Sequence, residues 1–164
     1  MSHLKNYSYE RQGVWNRDNY HYVQAVRVGD IIHLAGQGKT SVRMQLRTPP
    51  NCANGKVLGG WDRDTGVIKK NIGEQIDQAF ENVDAALKNA GGKGWAQVYR
   101  VNSFHIPLSD EQQDHMVRNF RKYMPVPHAT WTCVEVTRLG GGPDMQIEIE
   151  VSAHDPEGAA TVAT

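Results

Sequence analysis

The string LAGQGKTS (34–41) ends like a phosphate-gripping loop. Such a loop needs a glycine five positions before Gly38, where a positive φ lets a nest of backbone N–H groups wrap the phosphates. That position holds His33, a bulky residue that does not readily adopt the conformation, so the spacing argues against a nucleotide. His33, His105 and His128 fall on or beside strand-like runs, but none has ligand spacing to another His or Cys. Asp62 and Asp64 in GWDRDTG lack the following oxygen ligands of a calcium loop. No metal and no cofactor is expected. The carboxylates of MQIEIEV (145–151) are more informative. Gln146, Glu148 and Glu150 alternate with Ile147, Ile149 and Val151, so one face of a strand is apolar and the other carries acids. In TWTCVEV (130–136), Trp131, Cys133 and Glu135 share a face. That face is too apolar to be simply solvated, and its carboxylate would be costly in a sealed core. A small semi-polar cleft between subunits of an oligomer reconciles the two; an ordinary exposed face with scattered apolar residues is the competing reading.

These side chains need a frame, and 164 residues are enough for one domain with a core of its own. Eighteen basic and eighteen acidic residues cancel, so no global field draws the chain to nucleic acid or to an anionic membrane. Cys52 and Cys133 make neither a disulfide framework nor a zinc spacing. With no apolar run of about 18 residues and no leader-like start, the expectation is a soluble, cytoplasmic protein.

YVQAVRVGDIIHLAG (22–36) has two β-branched runs around Gly29-Asp30, the composition of a hairpin with a tight turn. In 70–90, Ile76, Ala79, Phe80, Val83, Leu87 and Ala90 form one helical stripe, and Gly91-Gly92 follows as a stop. WAQVYRVNSFHI (95–106) reads as a strand. Ser109 with Gln112 then suggests a capping box for a helix carrying Met116, Phe120 and Tyr123, which Pro125 and Pro127 end. Strands follow at 128–136 and 144–154 around the turn-rich RLGGGPD, and the tail from Pro156 reads as loose. The order is ββαβαββ: an α+β domain with both helices on one face of a mostly antiparallel sheet.

The strings YVQAVRVGD, LAGQ, EQIDQAFENVDAALKNAGG, VYRVNSF and TWTCVEVTRLGGGPDMQIEIEVSA resemble the Rid family, the reactive-intermediate or imine deaminases also called YjgF, RutC or L-PSP-like proteins. The resemblance spans nearly all of residues 20–154. It implies a chorismate-mutase-like fold, a homotrimer, and clefts between subunits where small molecules bind. It also implies site residues. Tyr22 matches a cleft-lining tyrosine, Ala35 lies in the LAGQ that ends a cleft-lining strand, and Cys133 matches a cysteine whose backbone N–H helps hold the substrate. Glu148 matches a glutamate that positions the attacking water. Trp131 stands where the family has an arginine that grips the substrate carboxylate. An indole offers one N–H and a π face in place of a planar bidentate cation, so the substrate implied is not a simple 2-imino acid. Trp131 instead suits stacking on a conjugated enamine or cation–π attraction to an iminium, although interface packing alone would also explain it. For Glu148 the competing role is an interface carboxylate. His105, at a strand end, is a further candidate for reaching the cleft. As a thiol, Cys133 reads as a small buried hydrophobe rather than a nucleophile.

The resemblance thus implies a hydrolase or deaminase acting on a reactive imine or enamine. A non-catalytic trimeric small-molecule binder is the alternative, and endoribonuclease activity, named for some members, is disfavoured by the neutral charge and by the lack of an evident histidine pair.

Residues 39–59, KTSVRMQLRTPPNCANGKVLG, stand outside the resemblance, and their removal restores the string GQGGWD found in relatives. As an insertion within a single 1–154 domain followed by a 155–164 tail, they would be a surface loop. They are equally readable as a translated intron of a fungal-type gene. Gly38-Lys39 can be encoded GGTAAG, a donor signal; Ala53-Asn54 GCTAAC, a branch site; and Leu58-Gly59 can supply the acceptor TAG. Sequencing the messenger across residues 36–62 decides between them: an uninterrupted transcript that carries the segment rules out the intron.

Overall fold

The computed structural model describes residues 3–36, 68–126, 128–140 and 142–162. The segment 39–59, the GKTS string, Cys52 and the GWDRDTG turn lie outside the described residues. The elements in chain order are β1 (Lys5–Tyr7), α1 (Gln12–Tyr20), β2 (Ala25–Val28), β3 (Ile31–Leu34), α2 (Ile72–Asn89), β4 (Val98–His105), α3 (Asp110–Tyr123), β5 (Thr130–Glu135), β6 (Ile147–His154) and α4 (Pro156–Val162). They build an α+β fold around one six-stranded sheet in the order β1-β2-β3-β6-β4-β5. Neighbours are antiparallel except β4 and β5, which run parallel. A parallel pair needs a crossover, and α3 supplies it.

Local chemistry explains the elements that position the site. Gly29 turns the β2–β3 hairpin with φ 56, open space around it and a backbone that would strain any side chain. In α2 the expected stripe of Ile76, Ala79, Phe80, Val83, Leu87 and Ala90 is fully buried. Asn71 caps its start, accepting from the Glu74 N–H at 3.1 Å. Beneath it, Trp95 stacks on Phe80 with ring centroids 4.5 Å apart and donates its indole N–H to the Phe80 carbonyl at 2.9 Å. The core joins α2 and α3 to the sheet face that carries Ile32, Leu34, Val101, Ile149, Val151 and Ala153. Asp77 ties the two helices together, accepting from Asn119 Nδ2 at 2.6 Å and pairing with Arg118.

The tail is not loose. Asp155 opens α4, its Oδ1 accepting from the Gly158 N–H at 3.1 Å. Its other oxygen meets Arg27 Nη2 at 2.5 Å in a pair that is 3% and 1% exposed. Arg27 also donates to the Ala90 and Asp155 carbonyls, so one guanidinium fastens β2, the end of α2 and the start of α4. Burial alone would raise the Asp155 carboxyl, but hydrogen bonds from Arg27, Gln97 and Gly158 outweigh it and hold the group below the usual carboxylate range. At the other end, β1 and α1 are elements that no hydrophobic period announces.

Candidate functional site

Strand register assigns the candidate side chains carried on strands to a face. Glu148 pairs with Phe104, Glu150 with Asn102, and Ser152 with both Arg100 and His33. All of these lie on the sheet face away from α2 and α3, because the residues between them are the core. Trp131 pairs with Val101, and Cys133 with Ser103, which pairs in turn with Ile149. Val101 and Ile149 are fully buried core residues, so Trp131 and Cys133 face the helices. The candidates therefore form two groups on opposite faces of one sheet.

The first group gathers where β2 and β3 meet β6. A Cβ at Gly36 would fall 2.0 Å from Glu148 Oε1 and 2.6 Å from its Cδ. Only glycine lets that carboxylate lie against the chain just past β3. Ala35 precedes it, its N–H donating to the Gln24 carbonyl at 3.0 Å. The half-buried Tyr22 belongs to the same corner. Burial raises its pKa, a hydrogen bond with Gln24 opposes the shift, and the Glu148 charge adds to it. A neutral phenol beside a carboxylate can donate to a ligand while the carboxylate accepts.

The second group is a hydrogen-bonded chain at the edge of the sheet. His105 is fully buried, with Nδ1 2.7 Å from Gln112 Oε1 and Nε2 2.9 Å from Ser103 Oγ. Trp131 Nε1 lies 2.8 Å from the same Ser103 oxygen. An indole N–H only donates and an amide oxygen only accepts. His105 is then the Nδ1–H tautomer, its Nε2 accepts from Ser103, and Ser103 accepts from Trp131. Burial lowers the His105 pKa against the opposing bond to Gln112, in keeping with a neutral ring. Cys133 is also hydrogen-bonded to Ser103, but burial raises its pKa, which disfavours the thiolate. The Trp131 ring stands edge-on to Phe120, centroids 5.0 Å apart.

This arrangement corrects parts of the sequence reading. Trp131, Cys133 and Glu135 do not form a free face; Trp131 is half-buried against Phe120 of α3, Cys133 is half-buried beside Ser103, and Glu135 at the strand end accepts from the Leu108 N–H at 2.9 Å. The semi-polar character arises because β5 is an edge strand, where the helical layer thins. His105 does not reach open space but touches Trp131 through Ser103. Half of the capping box forms: Ser109 Oγ accepts from the Gln112 N–H at 3.3 Å, while the Gln112 side chain turns to His105 instead. Ser103 and Gly36 were missed. Alternation would have placed Ser103 beside His105 on β4, whereas nothing local signals the approach of Glu148 to Gly36.

His33 is exposed, with Nδ1 3.1 Å from Ser152 Oγ. It lines a polar hollow of about 150 Å³ with Arg100, Asn102 and Glu150 on the uncovered sheet face. Among the described residues, no group of three or more His, Cys, Asp or Glu is placed to hold a metal ion, and no helix is long and apolar enough to cross a membrane.

A six-stranded sheet backed by two packed helices, with a carboxylate and a phenol on its open face, defines a class of small α+β domains. Residues 17–155 match the family model described as Endoribonuclease L-PSP, and the chain belongs to this family, the Rid or YjgF group. The RutC family protein YjgH of Escherichia coli K12 is 28% identical over 138 residues, which cover 84% of this chain and 86% of that protein. A solved structure of protein YJGH superposes with a TM-score of 0.69 at 24% identity, covering 95% of this chain and 99% of that one. The structure of E. coli TdcF with bound serine gives a TM-score of 0.60 at 24% identity, covering 81% and 87%.

Proposed function

We propose that this chain is a hydrolase of reactive imines or enamines, with Glu148 as the base and Tyr22 as a donor that holds the substrate. The observation that carries the reading is the Glu148 carboxylate seated against Gly36 beside a protonated Tyr22. An iminium carbon is already electrophilic. Glu148 orients a water and takes its proton as the oxygen bonds to carbon and the C=N π pair moves to nitrogen. The protonated Glu148 then returns the proton to the carbinolamine nitrogen; its regenerated carboxylate takes the hydroxyl proton as the C–N bond breaks and the carbonyl forms, and the departing ammonia carries that proton away as ammonium.

Trp131 and Cys133 enter this reading from a second copy of the chain. In one chain they lie behind the sheet from Glu148, so a cleft that uses both groups forms between subunits, in a homotrimer. Valines on the uncovered face, Val28 and Val134 at 37% and 38% exposure, suit such packing. Because an indole replaces the arginine implied by the family resemblance, the favoured substrate lacks a carboxylate at that end.

Hydrolysis of a small imine generated in situ, followed by ammonia release, tests the proposal. Glu148→Gln should lower the rate by about 10²–10⁴-fold, the usual contribution of a positioned base. A variant as fast as wild type contradicts the assignment. The bound serine named for TdcF favours a second reading, in which the cleft binds a small metabolite without turnover. Saturable ligand binding with no ammonia release from any imine would establish it. For endoribonuclease chemistry, the activity in the family's name, two strand histidines offer little: His105 is sealed and His33 bonds to Ser152.

A further inference from the structure

Beside Trp131, between α3 and β5, a cavity of about 200 Å³ is lined by Val101, Phe120, Met124, His128, Ala129 and Trp131. At the packing density of protein interiors that space holds about 150 Å³ of ligand atoms, the size of a single or fused ring. Its lining offers two aromatic rings, a thioether, aliphatic carbon and the single imidazole of His128, with no carboxylate, ammonium or guanidinium. A charged group would exchange its hydration for mostly apolar carbon with His128 as its one polar neighbour, whereas an aromatic ring gains edge and face contacts with Phe120 and Trp131.

The Trp131 wall is held by more than packing. Its N–H bonds to Ser103, whose own proton is directed to His105, which is in turn fixed by Gln112. Ser103 and His105 are both fully buried, so no water competes for the bond between them, and the relay gives the indole one orientation. Gln112 sits on the first turn of α3, the helix that carries Phe120 and is followed by Met124 at its C-cap. The same relay therefore registers α3, and with it the opposite wall, against β4.

We propose that this cavity is a recognition pocket for an uncharged aromatic group of the substrate, and that Ser103 and His105 are positioning residues that fix its Trp131 wall. The assignment rests on the imine-hydrolase reading for the meaning of the bound group, but not for the binding itself. Indole is a suitable probe, titrated by calorimetry into the full chain. It should bind wild type saturably, and Ala129→Leu, which fills the cavity from its rim, should abolish the binding without lowering Tm. Trp131→Arg should weaken it by up to about tenfold, the upper value for loss of one aromatic contact.

The positioning role has its own signature in the indole N–H resonances of the chain, with Trp131 identified by its loss in Trp131→Phe. Ser103→Ala should move the Trp131 resonance, speed its exchange with solvent, and raise KM for an aromatic imine more than it lowers kcat. Ser103→Thr, which keeps the oxygen, should restore the resonance. Indole binding that ignores Ala129→Leu and Trp131→Arg overturns the pocket, and a Trp131 resonance unchanged in Ser103→Ala overturns the relay. The two readings separate cleanly. Indole binding with no turnover of any imine refutes the hydrolase and leaves the pocket, while imine turnover with no indole binding refutes the pocket and leaves the hydrolase.

Discussion

Buried between Gln112 and Ser103, His105 carries a measurable consequence of its neutrality. Its folded pKa lies below the unfolded value of about 6.5 because burial penalises the charged ring. As pH falls, the unfolded chain takes up the proton first. The stability from a neutral His105 is complete above the unfolded value and is lost as pH drops from there through the folded pKa. Thermal melts from pH 7.5 to 5 should show wild type losing Tm in that window and His105→Gln losing less; parallel profiles would contradict the assignment. At this scale the sequence was partly legible. The alternation around Glu148 correctly separates its face from the core residues Ile147 and Ile149. The side on which Trp131 lies was not legible, because alternation tells which residues share a face, not which face the helices cover. Gln112 misled for a related reason: a capping residue and a buried hydrogen-bond partner use the same amide, and only the proximity of His105 decides between them.

Among the elements, α2 was legible because its stripe repeats over the whole helix and both ends carry their own signals, Asn71 and Gly91. Helix α4 was not, because what orders it comes from Arg27, 128 positions away in the sequence. The same holds for β1 and α1. The Gln24 N–H donates to the Tyr7 carbonyl at 3.0 Å, and Tyr9 and Asn16 are buried, contacts that short-range periodicity does not encode. The staple at Arg27 makes a firm prediction. Arg27→Ala leaves the Asp155 carboxylate buried without its cation and should cost about 3–5 kcal/mol, read as a lower urea midpoint. Substituting both residues by apolar ones of similar size should recover part of that loss, because the desolvation of both charges disappears together. If Arg27→Ala melts like wild type, the pair does not hold α4.

For the whole molecule, the uncovered sheet face is the surface on which the proposed trimer would be built. It carries Val28 and Val134, the Glu148 corner and the polar hollow at His33, and a surface of this mixed character is expected to be covered by copies of the same chain. Sedimentation equilibrium should give about three times the 18.3 kDa chain mass, and Val134→Lys, placing a charge in the proposed interface, should shift the population to smaller species. A wild-type monomer that hydrolyses imines at full rate would contradict a cleft between subunits. In the proposed function a water-activating carboxylate survives in this chain while recognition of a carboxylate substrate does not. This is tested by comparing kcat/KM for 2-iminopropanoate and for an uncharged aryl imine, on wild type and on Glu148→Gln. Wild type should favour the aryl imine, and Glu148→Gln should lose about 10²-fold or more on both. Preference for 2-iminopropanoate, or equal rates with and without Glu148, would contradict it.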